Sequence, residues 1–326
     1  MTHWAVLSRI APGFVLSAAG RPVPLVLGLE VTRRCNASCS YCSVCEAPDD
    51  DMPLEVLLSL LTEAYAAGSR IVSFSGGEPL LRKDIEEIIN HAFCLGFLIR
   101  LNTNGTLPIS DSIMEKVPLY DVSLDGPAEV QQLTRPGADF ERVKATLERL
   151  RRHPRVSSTI TTVLTRPALE HLDSLLKLAE RFDARVNFNR PRPSMGADKV
   201  EGWLLDSQEY AVALRRILEH PLRRRVLNST ETLRHLFASN PSPLATCPMG
   251  RVSLRVDHDG SFNDCFERPP LLDVRYPDVT FAEGFARIVG RHLTNCPRCT
   301  VAECVNTSLL VGLSPETALR TLLSLL

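Results

Sequence analysis

From residue 25 the chain alternates short β-branched runs with longer stretches of helical periodicity, six times in succession, and few architectures accept that pattern. Strands are expected at Leu25–Val31, Arg70–Ser75, Phe97–Asn102, Leu119–Leu124, Val156–Leu164 and Ala184–Asn189. Helices are expected at Leu54–Ala67, where Gly68 stops the turn, and from Asp84 as cap to about Leu95. Others fall near Ser110–Lys116, at Phe140–His153 and at Ala168–Phe182. Six βα units imply an α/β fold with a parallel sheet and helices outside it. A partial (β/α)6 TIM-like barrel fits, and the pattern alone admits an open doubly wound sheet. In either, polar residues that follow strands stand where ligands bind.

The rhythm breaks after about Pro193. Ser207–His220 and Pro221–Ser239 read as two helices, and Pro241-Ser-Pro243 as a boundary. Val252–Val256 and Ser261–Cys265 then read as strands joined by Asp257-His-Asp-Gly260, a hairpin signal. Thr307–Leu326 reads as a closing helix in two pieces, divided at Ser314-Pro-Glu316. The chain therefore divides into an N-terminal extension (1–24), a core barrel (25–193), a helical connector (194–243) and a small cysteine-rich α+β domain (244–326).

Of the 326 residues 44% are hydrophobic and the net charge is −1, so no global field draws the chain to nucleic acid or anionic lipid. The basic runs Arg149, Arg151, Arg152, Arg155 and Arg223 to Arg225 read as solvated helix faces. No apolar run is long enough for a membrane span. The first apolar stretch is cut by Arg9, Pro12 and Gly13 and lacks a cleavage site of the export type. Ten cysteines without an export signal point to reduced thiols, metal binding and a cytoplasmic location.

Three of those cysteines crowd into eight residues directly after the first strand, in Cys35-Asn-Ala-Ser-Cys39-Ser-Tyr-Cys42. Three close thiolates suit a soft metal or an iron–sulfur cluster better than a disulfide. A cubane cluster needs one ligand more, so one iron would stay open to a non-protein ligand, as catalytic metal sites require. One βα unit later comes Ser75-Gly76-Gly77-Glu78-Pro79, where two glycines let backbone approach a ligand closely.

In order and spacing the two motifs resemble those of the radical S-adenosylmethionine (radical SAM) superfamily, over roughly residues 25–190. The resemblance implies that Cys35, Cys39 and Cys42 hold a [4Fe–4S] cluster whose open iron is chelated by S-adenosylmethionine. It further implies that Gly76, Gly77, Glu78 and Pro79 meet the methionine amino group, with Glu78 supplying negative charge. Asn102, Asn104 and Gly105 would face cofactor or substrate. Ser123 and Asp125 would contact the ribose or the carboxylate, Arg135 would pair with that carboxylate, and Asn187 and Asn189 would lie near the adenine. Asn and Asp after a strand are also ordinary turn and cap residues.

Cys247, Cys265, Cys296, Cys299 and Cys304 form a second group. Taken alone, a hairpin plus a C-x2-C knuckle suits zinc. Beside a radical SAM half, the order resembles the twitch domain, a shortened SPASM domain with one auxiliary cluster. That resemblance implies a second [4Fe–4S] cluster on Cys247, Cys265, Cys296 and Cys299. Zinc in the tail and the role of Cys304 stay open. Cys45 and Cys94 read as non-ligands, Cys94 as a small buried hydrophobe.

The resemblance implies reductive cleavage of S-adenosylmethionine to a 5′-deoxyadenosyl radical that takes hydrogen from a substrate. The group includes the peptide-modifying maturases of pyrroloquinoline quinone and mycofactocin, so a peptide or natural product is the expected substrate. A small-molecule dehydrogenase of the twitch type and a non-catalytic metal-binding scaffold are the rivals. Implied partners are an electron donor such as flavodoxin or ferredoxin and, since only some 24 residues precede the first strand, a separate peptide-binding protein.

Overall fold

The computed structural model describes residues 3–44, 50–192, 196–239, 247–263, 273–290, 301–311 and 316–317, with residues 265, 271 and 299. Helix α1 (His3–Ala18) precedes the alternation. The run then reads β1 (Val26–Thr32), α2 (Leu54–Ala66), β2 (Ile71–Gly76), α3 (Ile85–Leu95), β3 (Leu98–Thr103), α4 (Asp111–Lys116) and β4 (Leu119–Ser123). It continues with α5 (Ala128–Thr134), α6 (Phe140–Arg152), β5 (Ser157–Val163), α7 (Arg166–Glu170), α8 (Leu172–Arg181) and β6 (Arg185–Asn189). Beyond it lie α9 (Ser207–Glu219), α10 (Thr230–Leu236), β7 (Ser253–Val256), β8 (Phe262–Asn263), α11 (Phe281–Gly290) and α12 (Ala302–Val311).

The eight strands form one sheet in the order β6-β5-β4-β3-β2-β1-β7-β8, parallel except for β8. The first six follow chain order without reversal. A doubly wound sheet would reverse at a switch point, so the barrel-type alternative is the one realised. Strands β7 and β8 make the expected hairpin, and β7 hydrogen-bonds alongside β1 in parallel. The cysteine-rich segment thus extends the barrel sheet by two strands.

Side-chain alternation splits the sheet into an apolar and a polar face. Leu27, Leu29, Phe74, Ile99, Leu101, Val122, Ile160 and Phe188 are fully buried and belong to the main apolar core with residues of the covering helices. The register places Gly28 beside Ser73, Asn102 beside Asp121 and Ser123 beside Thr161 on the opposite face. A barrel interior lined by such residues is not a packed core but the wall of a binding space.

Helix α1 closes the bottom of that space. Ile10 and Phe14 pack on Leu25, Val26, Ile71, Leu98, Leu119 and Val252, which stand at or next to the first residues of β1 to β4 and β7. Gly13 allows the approach, since a Cβ there would meet Leu25 Cδ1 at 2.6 Å. The N-terminal extension (1–24), to which the sequence assigns no element, contains a helix with Pro12 inside it. Both sheet edges are covered, which removes the hazard of unpaired strands. Leu227 N donates to Val186 O beside β6, and Phe262 N donates to Val274 O beside β8.

Other expectations need correction. Ala168–Phe182 is two helices, broken at His171, and Pro221–Ser239 yields only a short turn at Arg223–Arg225 and α10. Asp84 does precede α3 but its carboxylate binds Arg82 (2.7 Å) and makes no cap bond. Cys94 is exposed, because α3 buries its Ile85, Ile88, Ile89 and Ala92 face instead. Cys45, Cys296, the Pro241–Pro243 boundary and the last piece of the closing helix lie outside the described residues.

Candidate active site

At the C-terminal ends of the strands a cavity of about 280 Å³ opens, walled by Cys35, Cys39, Cys42, Gly76, Gly77 and Ser123 among others. Among the described residues these are the three thiols on its wall. All three belong to the loop after β1, whose ends the strand fixes. The thiols sense one another. Burial pushes Cys39 up to about 11, against the pull of Arg135, while Cys42, Asp125 and Cys35 add repulsion. Burial also raises Cys35, opposed by a backbone hydrogen bond from Ala37 and reinforced by the charge of Glu78. Thiols raised as Cys35 and Cys39 are would be relieved by a cationic iron–sulfur core on binding, with release of protons. The donor set fits such a group.

The two glycines are dictated by backbone proximity. Gly76 has φ +133°, and a Cβ on it would lie 2.0 Å from Thr32 O; one on Gly77 would lie 2.2 Å from Arg34 O. Gly77 N donates to Thr32 O and Glu78 N to Arg34 O, each at 2.8 Å, so the Gly-Gly turn is laced to the root of the cysteine loop. Ser75, Gly76 and Gly77 face the cavity.

Glu78 does not. Its side chain is fully buried beneath the wall, where Thr103 Oγ1 donates to both oxygens at 3.0 Å and Asn104 N to Oε2 at 2.7 Å. Burial lifts its carboxyl to about 7, moderated by backbone hydrogen bonds from Asn104 and Leu80 and by Thr103. The charge expected to meet a methionine amino group instead braces the loop after β3, and Pro79, also buried, starts a short turn.

Ser123, Asn104 and Arg135 line the cavity, whereas Asp125 is wholly buried behind it. Asp125 takes Arg135 Nε at 3.0 Å and Nη2 at 3.2 Å, the Tyr41 hydroxyl, and Val163 N at 2.9 Å. It is an anchor for the cysteine loop and not a cavity ligand. Asn102 is on the wall, with its amide donated to Ser73 Oγ and Phe74 O. Asn189 lines the cavity; Asn187 accepts from Asn228 Nδ2 at 2.9 Å away from it. Gly105 serves the backbone, at φ +76°.

Sequence reasoning missed Tyr41 as a partner of Asp125, and it missed Thr103, Thr161 and Val301. Val301 brings the C-terminal segment to the same cavity, two residues after Cys299. Cys299 and Cys304 are buried, and Cys247 and Cys265 partly so. Arg190 and Arg192, on either side of Pro191, both reach the wall. Arg190 donates to Leu236 O at 3.0 Å and stacks over Tyr210.

Residues 29–179 match the model of the family described as Radical SAM superfamily, so the chain carries a radical SAM domain. The chain is 27% identical over 260 residues to mycofactocin maturase MftC of Mycolicibacterium smegmatis, covering 76% of this chain and 65% of that protein. It is 32% identical over 198 residues to the PqqA peptide cyclase of Xanthomonas euvesicatoria, covering 56% and 50%. An AdoMet-dependent heme synthase of Oleidesulfovibrio alaskensis is 33% identical over 176 residues, covering 51% and 45%. The chain thus spans about half to two thirds of the length of these relatives. In structure it is similar to Streptococcus suis SuiB bound to S-adenosylmethionine, with TM-score 0.66, 17% identity and coverage of 88% and 73%. It is likewise similar to anSMEcpe with bound AdoMet, with TM-score 0.65, 20% identity and coverage of 92% and 98%. These likenesses establish the partial-barrel fold.

Proposed function

We propose that the chain is a radical SAM enzyme that modifies a peptide or a peptide-derived natural product. The observation that carries this reading is the convergence of three thiols from one loop on a cavity floored by the Gly76–Gly77 turn. Cys35, Cys39 and Cys42 would hold a [4Fe–4S] cluster with one iron left for S-adenosylmethionine. When bound, that pair supplies one-electron cleavage of a sulfonium and abstraction of hydrogen from an unactivated carbon. The residues of this chain bind and orient. Ser75, Gly76 and Gly77 present backbone, Ser123 and Asn189 present polar side chains, and Arg135 offers positive charge toward the cofactor. The walls exclude water and stray hydrogen donors, which a radical reaction requires.

Several further parts belong to the same reading. We assign a core to 25–193, a connector to 194–243 and an auxiliary-cluster segment to 244–326, with Cys247, Cys265, Cys296 and Cys299 as ligands; the SPASM-type relatives support a second cluster. A flavodoxin or ferredoxin would deliver the electron. The similarity to maturases supports a peptide over the small-molecule alternative. Among the described residues no helix is long and apolar enough to cross a membrane.

Anaerobic reconstitution tests the proposal. About eight irons per chain are expected for two cubanes, about four with one zinc for a zinc-bearing tail. The reduced protein is expected to release 5′-deoxyadenosine from S-adenosylmethionine, and the Cys35→Ala, Cys39→Ala and Cys42→Ala variants to release none. No 5′-deoxyadenosine from cluster-loaded protein would favour a scaffold.

A further inference from the structure

Two buried carboxylates stand behind the cysteine loop, and each steadies a nitrogen donor against a different sulfur. On one side Glu78 fixes the turn after β3 through Thr103 Oγ1 and Asn104 N. From that turn Asn104 Nδ2 donates to Asn36 Oδ1 at 2.8 Å and lies 3.9 Å from Cys35 Sγ. Its amide is held in that sense, because Asn104 Oδ1 already accepts from Thr106 N at 3.0 Å and Thr106 Oγ1 at 2.7 Å. Asn36 Nδ2 completes the ring by donating to Thr106 Oγ1 at 2.8 Å.

On the other side Asp125 occupies Arg135 Nε and Nη2, and the Tyr41 hydroxyl donates to the same carboxylate. The remaining terminal nitrogen, Nη1, lies 4.0 Å from Cys39 Sγ. Asp125 is fully buried, and Arg135 is 7% exposed. The guanidinium also sits over the Tyr41 ring, 5.4 Å from its centroid. Tyr41 itself lies one residue before Cys42. Arg135 cannot turn away without breaking its buried pair with Asp125, nor Asn104 without breaking its hydrogen bonds to Asn36 and Thr106.

Resting on the proposed function, we infer that Asn104 and Arg135 are positioning residues that donate N–H···S contacts to two of the three cluster thiolates and raise the cluster's reduction potential. A reduced cluster carries one more negative charge than the oxidised one. An N–H dipole or a guanidinium beside a ligand sulfur stabilises that extra charge, and hydrogen bonds to the sulfurs are among the determinants of cluster potential. Arg135 brings a charge that the more distant Asp125 offsets only in part and Asn104 only a dipole, so the arginine has the larger effect. Glu78 and the Asp125–Tyr41 pair matter because they aim these donors.

The test is an EPR-monitored redox titration of the anaerobically reconstituted full chain with dithionite, without S-adenosylmethionine. The relevant signal is the one lost in the Cys35→Ala/Cys39→Ala/Cys42→Ala variant, which separates it from any cluster in the tail. Arg135→Met is expected to lower the ratio of reduced to oxidised cluster at fixed solution potential by about tenfold, the scale of one charged hydrogen bond, equivalent to about 59 mV for one electron. Asn104→Ala should shift the midpoint the same way by less, and Arg135→Lys should restore part of the loss. Were Arg135 only a ligand for the cofactor carboxylate, its variants would raise the KM for S-adenosylmethionine and leave this midpoint in place. Where Arg135→Met fails to load iron, Asn104→Ala carries the test, since it leaves Asp125 and Arg135 paired. A wild-type midpoint in loaded Asn104→Ala, or in Arg135→Met where it loads, would overturn the inference. If the wild type loads its cluster but makes no 5′-deoxyadenosine, the proposed function fails instead.

Discussion

Glu78 shows how a motif residue can serve the fold from under the wall of a site. In the unfolded chain its carboxyl titrates near the ordinary value of 4.5, and in the folded chain near 7. Between those values the folded state binds more protons than the unfolded one, so stability declines as pH rises through that window. The shift corresponds to at most about 3 kcal/mol. Urea titrations from pH 4.5 to 7 should show that decline, and Glu78→Gln, which cannot ionise, should flatten it. A slope unchanged in the variant would assign the titration to another group. Residue types at this scale were legible and their partners were not. The cysteine spacing announced three thiols at one site because it is local in the chain. Nothing local shows that Asp125 is spent on Tyr41, 84 residues away, or Glu78 on Thr103.

At the scale of elements, hydrophobic periodicity marked every barrel strand to within a residue or two, since each has one face in the core. It failed on α1, where Arg9, Pro12 and Gly13 read as interruptions but the helix finds its stability in what it covers. Ile10 is 4% exposed against the strand origins. Ile10→Ala should therefore cost about 2–4 kcal/mol in chemical denaturation. Iron content and 5′-deoxyadenosine formation should stay near wild type at low temperature, because the cavity is at the other end of the strands. A cost below about 0.5 kcal/mol, the range of ordinary surface changes, would mean that α1 is not seated there. The missed α5 supplies Gln131, whose Oε1 accepts from Asp125 N at 3.1 Å.

Across the whole molecule, the two halves named by the sequence share a seam of charge. Arg255 on β7 meets Asp257 at 2.8 Å and Glu30 on β1 at 3.8 Å, while Arg33 at the root of the cysteine loop lies 3.7 Å from Glu30. Burial raises the Glu30 carboxyl, with Arg255 the strongest opposing influence. Removing one partner of a buried ion pair costs about 3–5 kcal/mol, because the other stays uncompensated. Arg255→Ala should lose stability on that scale and weaken iron retention at Cys35, Cys39 and Cys42, as read by chelator-release kinetics. Stability lost with unchanged release would confine the seam to a structural role. No periodicity could disclose this junction, since β7 joins β1 from more than 200 residues away.

The plug of α1 beneath the strands has a last consequence for traffic. With Ile10 and Phe14 packed beneath the strand origins, the described residues leave the cavity bordered by Val301 at the opposite end of the strands. On the proposed function, loading and release of cofactor and substrate would share that end of the strands.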